Sequence, residues 1–171
     1  SDATDYNLGS ALPAIYGGFN TAVQFHGIDF SVNLSYQIGG KGYDRIYANL
    51  MSSGSEGQNW HNDILKAWTP ENKETNVPKV QNAEKYANTA SSRFFTNTSY
   101  LNLQNITLGY TLPKAWINVL QLESVRFYFV ADNVALLSKR KGFDPRQNWS
   151  GESDYNYAAI RTISGGLQVR F

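Results

Sequence analysis

The sequence has no cysteine and only two histidines, His26 and His61. The first absence removes disulfides, thiolate nucleophiles and zinc-thiolate centres together. The second leaves little for imidazole chemistry. An apolar run of about 18 residues, the least that crosses a membrane as a helix, is also missing. Mean hydropathy is -0.42. A charge excess is lacking too: 15 Lys and Arg stand against 14 Asp and Glu, so no general attraction to nucleic acid or other polyanions follows. The opening residues, SDATDYNLGS, have neither an initiator Met nor the charged-then-apolar pattern of a secretory leader. The 171 residues are expected to be one piece of something longer.

What is present is alternation. From Ile28 to Ile38 every second residue is apolar (Ile28, Phe30, Val32, Leu34, Tyr36, Ile38), and those between are Asp29, Ser31, Asn33, Ser35 and Gln37. A strand sends successive side chains to opposite faces, so this segment predicts a β-strand with one apolar and one polar side. It is long for a soluble domain, where about 5 to 6 residues is usual; a tilted bilayer-crossing strand needs roughly 9 to 11. A long sandwich or barrel strand on a core and a transmembrane strand on lipid both remain open. Four more strands are expected: Gly18 to Phe25, Tyr100 to Leu112, Ser124 to Asp132 and Ile163 to Phe171. In the third, Leu101 and Leu103 are out of phase with Ile106, Leu108 and Tyr110. Either a bulge lies near Gln104-Asn105 or the strand begins there.

The links alternate in length. His26-Gly27 reads as a tight hairpin turn and Pro113 to Glu123 as a short connection, whereas Gly39 to Ser99 and Asn133 to Thr162 are long. An up-and-down meander of this kind gathers its long loops at one end, as outer-membrane barrels do. Short helices are expected at Asp44 to Met51, at Asn62 to Ala67 and after Pro113, whose Trp116 suits a membrane interface or a soluble core.

At this point the residues resemble a family. The segments PAIYGGFNTAVQFHGIDFSVNLSYQIGGKGYD, NWHNDILKAWTPENKETNVPK, SYLNLQNITLGYTLP, RFYFVADNVALLSKRKGFDPR and GGLQVRF, in that order, are similar to the C-terminal portion of SusC/RagA-type TonB-dependent outer-membrane transporters of Bacteroidetes. The resemblance covers nearly the whole chain. It implies an all-β, antiparallel, up-and-down transmembrane barrel segment, about the last five strands of a barrel of about 22. Long extracellular loops with short helices would top it, and the plug and earlier strands would lie upstream. It further implies import of a glycan or peptide, a SusD-like surface lipoprotein, energy from the TonB complex, contact with outer-membrane lipid and a periplasmic C-terminus. Phe171, an aromatic final residue, resembles the barrel-assembly signal. Asn33, Ser35, Gln37, Tyr128, Asp132 and Arg170 would line the lumen, with Phe30, Leu34, Phe127, Phe129 and Val169 on lipid. A soluble β-sandwich carbohydrate-binding module and a passive porin are the competing classes.

No catalytic residue, cofactor, metal or nucleic-acid partner is expected. His61 reads as a loop histidine hydrogen-bonded at a helix start, GFDPR at 142–146 as a turn, and Glu152 with Asp154 as solvated loop carboxylates. Trp149, Tyr155 and Tyr157 are candidates for ligand or partner contact, since amphipathic rings suit sugar faces and peptide side chains alike. Trp60 and Trp68 are candidates too, but suit better a small core that orders the long loop.

Overall fold

A computed structural model describes residues 7–53, 57–81, 89–147, 150–153 and 155–171. In chain order it forms strands β1 (Ile15–Phe25), β2 (Ile28–Ile38) and β3 (Lys41–Tyr43), helix α1 (Arg45–Leu50), strands β4 (Phe95–Asn97) and β5 (Tyr100–Thr111), helix α2 (Lys114–Ile117), and strands β6 (Ser124–Ser138) and β7 (Thr162–Arg170). Five strands make one antiparallel sheet in the order β1-β2-β5-β6-β7, and β3 pairs with β4 in a separate ribbon.

Alternation fixes the register. Because a slip of one residue would carry every apolar side chain to the wrong face, the strands align so that apolar positions form continuous rungs. Phe25, Ile28, Tyr110, Phe127 and Leu167 make one rung; Val23, Phe30, Leu108, Phe129 and Gly165 the next; Thr21, Val32, Ile106, Ala131 and Ile163 a third. This face is open to its surroundings, with Phe19 at 59%, Phe127 at 50% and Phe129 at 45% exposure. Among the described residues the only other sheet is the β3–β4 ribbon. A soluble sandwich would require a second layer over these side chains, and none is there.

The phase change in β5 is a bulge inside a continuous strand. Between Val32 and Leu34 lies Asn33 alone; between the partner positions on β5, Ile106 and Leu103, lie Asn105 and Gln104; between those on β6, Ala131 and Ala135, lie Asp132, Asn133 and Val134. Asn133 absorbs the extra length by taking a φ of 50°, a left-handed value that asparagine tolerates better than most residues. Across the shift the Asn105 amide donates to Asp132 Oδ1 at 2.7 Å and the Thr107 hydroxyl to Asn105 Oδ1 at 3.1 Å. For the same reason β6 runs past Asp132, where the sequence suggested its end, to Ser138.

On the polar face Arg126 of β6 reaches across β5 to Asp29 of β2, donating through Nε at 2.9 Å and Nη2 at 2.5 Å. The β5 residue beneath is Gly109, which pairs with Asp29 on one side and Tyr128 on the other. A Cβ there would run into both the guanidinium and the carboxylate. The glycine is the gap through which the bridge passes.

His26 and Gly27 join β1 to β2 with φ of 46° and 83°, the two positive values a type I′ hairpin needs. This turn and the α2 connection lie at one end of the sheet. The links 39–99 and 139–161 lie at the other. Ser124, which opens β6, pairs with Arg170, so the chain reaches Phe171 at the short-link end. Trp116 of α2 is exposed there while its neighbour Ile117 is buried.

Filling the gap should separate the charges it accommodates. Gly109→Leu, Asp29→Asn and their combination are expected to lower the stability of the folded protein by about 1 kcal/mol each. The double variant should lose no more than one of the singles. Urea unfolding followed by tryptophan fluorescence checks this; additive losses would show that Gly109 serves another purpose.

Candidate functional site

The two long links carry the candidate contact residues, and each is ordered by its own local chemistry. The first, 39–99, is closed at its base by the β3–β4 ribbon and filled by Met51, Ala67, Val77 and Phe94, with Tyr43, Tyr47, Ala48 and Ile64 packed around them. Burying each large side chain contributes roughly 1.5–3 kcal/mol, enough to hold a segment with little regular structure. Asp44 caps α1, its Oδ1 accepting from the Tyr47 N–H at 3.0 Å. His61 caps the following 3-10 turn, Asn62–Lys66, its Nδ1 accepting from the Asp63 N–H at 3.1 Å. Acting as an acceptor, that nitrogen has no proton for the Asp63 carboxylate 3.4 Å away. The expected capping role of His61 is thus observed.

The second link, 139–161, docks through the GFDPR motif. Arg146 grips Asp144 with Nε at 2.9 Å and Nη2 at 2.6 Å, while its Nη1 donates to Asn102 at 3.1 Å and Asn133 at 3.3 Å. Asn102 is 2% exposed and shares the polar face with Ser35. The motif is a turn, as expected, and also an anchor that folds the loop over the polar side of the wall.

The loops also clasp each other. Tyr43 donates its N–H to the Gly151 carbonyl at 2.8 Å and accepts from the Ser153 N–H at 2.9 Å. Arg45 pairs with Glu152, so that carboxylate is not simply solvated as the sequence suggested. With both side chains more than 40% exposed, this pair contributes about 1 kcal/mol or less. Arg140 matters more: its Nε lies 2.5 Å from Asp44 Oδ2, a carboxylate with 8% side-chain exposure, and its guanidinium stacks 3.6 Å above the Tyr47 ring. Removing one member of a buried pair costs about 3–5 kcal/mol because the other charge stays behind.

Electrostatics follow the contacts. A hydrogen bond from Lys66 holds the Asp63 carboxyl below its ordinary range, against a smaller burial penalty and with help from the Tyr47 hydroxyl. Burial pushes the Tyr47 phenol up, and its bond to Asp63 adds to that. Burial would raise Asp144, but the side-chain and backbone hydrogen bonds from Arg146, with its charge, bring the carboxyl below the usual range.

Between the loops and the wall opens a cavity of about 650 Å³, bordered among others by Asp44, Asn102, Leu136, Arg140, Phe143 and Arg161. None of the aromatic candidates among the described residues lines it. Tyr155 is two-thirds exposed, its hydroxyl accepting from Asn49 Nδ2 at 2.8 Å, and Tyr157 is almost wholly exposed. Between them, Asn156 lines the cavity. Trp149 and Asp154 lie outside the described residues. Trp60 and Trp68 keep 41% and 37% exposure. The expected loop core exists, therefore, but Phe94, Val77 and Met51 fill it in place of the tryptophans. Phe171 follows β7 directly and is exposed. Arg140 and Arg146, which organise the region, were not singled out by the sequence: a basic run such as KRK at 139–141 reads as a solvated face until its partners are known.

A single antiparallel layer, apolar and uncovered on one side, with loops from one end folded over the polar other, defines a segment of β-barrel wall. No family model matches the chain. It is 28% identical to TonB-dependent receptor P3 of Formosa agariphila over 96% of this chain and 17% of that protein. It is 26% identical to TonB-dependent receptor SusC of Bacteroides thetaiotaomicron over 90% of this chain and 15% of that one. Among solved structures, the RagAB peptide importer in its closed-closed state superposes with a TM-score of 0.79 at 27% identity, covering 99% of this chain and 19% of the other. The open-open state gives 0.80 at 26% identity over the same shares. The chain is thus similar in sequence and fold to a portion of these TonB-dependent receptors, and it spans less than a fifth of each of them.

Asp63 and Asp144, held below the unfolded carboxylate pKa, contribute stability that is present above about pH 4 and lost as acid passes through their folded values. Protease resistance of the two long loops in the intact protein should therefore be level from pH 7 to about pH 5 and fall below about pH 4. Asp144→Asn should weaken docking at neutral pH and flatten part of the acid step. Loss of resistance already near pH 6 would place the titrating group elsewhere.

Proposed function

We propose that this chain is the wall and outer-loop segment of a TonB-dependent outer-membrane transporter importing a nutrient, an oligosaccharide or a peptide. The observation that carries it is the uncovered apolar face of the sheet, whose opposite polar face supports docked loops. Hydrocarbon is the solvent that suits such a face, and a polar, loop-covered lumen suits capture of a hydrophilic solute. The fragment's two edge strands, β1 and β7, would be paired by the rest of the barrel, because open edges are not tolerated in lipid.

In this reading all 171 residues belong to the barrel domain, with the long loops outside the cell and Phe171 at the periplasmic rim as an assembly signal. A SusD-like lipoprotein would sit over the loops, and the TonB complex would act through a plug elsewhere in the protein. Tyr155, Tyr157, Trp149, Trp60 and Trp68 are the loop residues proposed to meet solute or lipoprotein. The role is transport and not catalysis. The names of SusC and of the RagAB peptide importer support this class. A passive porin accounts for the wall but not for those likenesses.

Facing is the decisive test. In the full receptor, Leu34→Arg should destabilise the inserted barrel by about 2–4 kcal/mol if the side chain lies near the bilayer midplane, whereas Ser35→Arg should be tolerated. Folding into lipid vesicles, scored by heat-modifiable mobility and urea titration, gives the answer. Equal behaviour of the two variants would sink the proposal.

A further inference from the structure

The cavity beneath the last outer loop has an unbalanced lining. Its two carboxylates are already matched, Asp44 by Arg140 and Asp144 by Arg146. The donors of Arg146 are committed to Asp144, Asn102 and Asn133. Two further cations line the same space, Lys141 and Arg161. Both are exposed, and neither has a carboxylate partner among the described residues. Subtracting the two acids from the four cations (4 − 2) leaves a formal charge of +2 on the described residues that line the cavity, although the whole chain carries only +1.

The other groups are suited to a ligand as well. Ser153 Oγ accepts from the Arg45 N–H and so keeps its own hydroxyl proton to donate. Asn156 adds an amide, and Leu136, Phe143 and Ala158 add apolar wall. A volume of about 650 Å³ falls in the roughly 300–1,000 Å³ range of small-molecule sites. A cleft lined by one excess sign concentrates ions of the other, and charge-assisted hydrogen bonds are the strongest a lysine or arginine makes.

We propose that this cavity is a subsite for an anionic group, a carboxylate, on the imported solute, with Lys141 and Arg161 as its charged ligands and Ser153 and Asn156 as neutral donors. The proposal rests on the transporter reading above and adds the charge class of the cargo. Arg140 and Arg146 act as positioning residues: by neutralising Asp44 and Asp144 they keep the cavity from presenting negative charge to the ligand.

The test uses the full receptor reconstituted in lipid vesicles, with vesicle insertion scored first so that failure of the transporter reading and failure of the subsite appear in different measurements. Calorimetric titrations compare tetragalacturonate with maltotetraose, and a glutamate hexapeptide with a serine hexapeptide. In the unsubstituted receptor at least one acidic probe should bind more tightly than its neutral counterpart. The preference should fall at least about tenfold in the Lys141→Gln, Arg161→Gln double variant and with rising salt. Lys79→Gln, an exposed charge outside the cavity, should leave it unchanged. Which pair responds identifies the anion as a sugar acid or a peptide carboxylate. No acidic preference in the inserted receptor, or an unchanged preference in the double variant, overturns the subsite.

Discussion

The constraint on which the rest depends is the unburied apolar face. Five strands place Phe19, Phe30, Leu108, Phe127, Phe129 and Leu167 side by side, with none of the described residues layered above them. In water such a surface would be an aggregation site, and in hydrocarbon it is at rest. Once that face is assigned to lipid, the polar rungs must face an aqueous interior. Asp29 and Arg126 can then be paired there beside a glycine, and a loop can return over the wall without entering the bilayer.

The wall and the loops are stabilised by different physics. Wall stability is collective, a ladder of backbone bonds in a register that the apolar periodicity enforces. The loops cannot borrow from it, since segments such as 62–81 touch no strand of the main sheet in a regular way. They rely instead on a cluster of four buried residues, on caps at Asp44 and His61, and on arginines at 140 and 146. Each arginine serves two surfaces at once: Arg140 joins the first loop to the last, and Arg146 joins the last loop to the wall. Few side chains therefore determine where the long loops sit.

The legibility of the sequence follows the same divide. β2 was readable to the residue because its alternation is unbroken from Ile28 to Ile38. Gln104 announced a phase change, though not its cause. Beyond Asp132, β6 was hidden, because Asn133 resets the backbone and the run Ala135-Leu136-Leu137 shows no alternation by which to recover the phase. In the loops the short helices were legible, but the core was not. Phe94 and Val77 lie far from Met51 in the chain, and tryptophan is the more conspicuous guess. The contact of Arg146 with Asn102 spans 44 positions, a separation at which local pattern carries no signal.

The clasp between the loops bears on how such receptors can be re-engineered. Replacing residues 139–161 alone would strand Asp44 without its counter-ion and leave the Tyr43 backbone unmatched. Replacing 39–99 alone would leave Arg140 with neither carboxylate nor ring. Neither segment is a self-sufficient module. A graft of these loops would have to move both together as one transplantable cassette, with Asn102 and Asn133 retained in the recipient as its docking point.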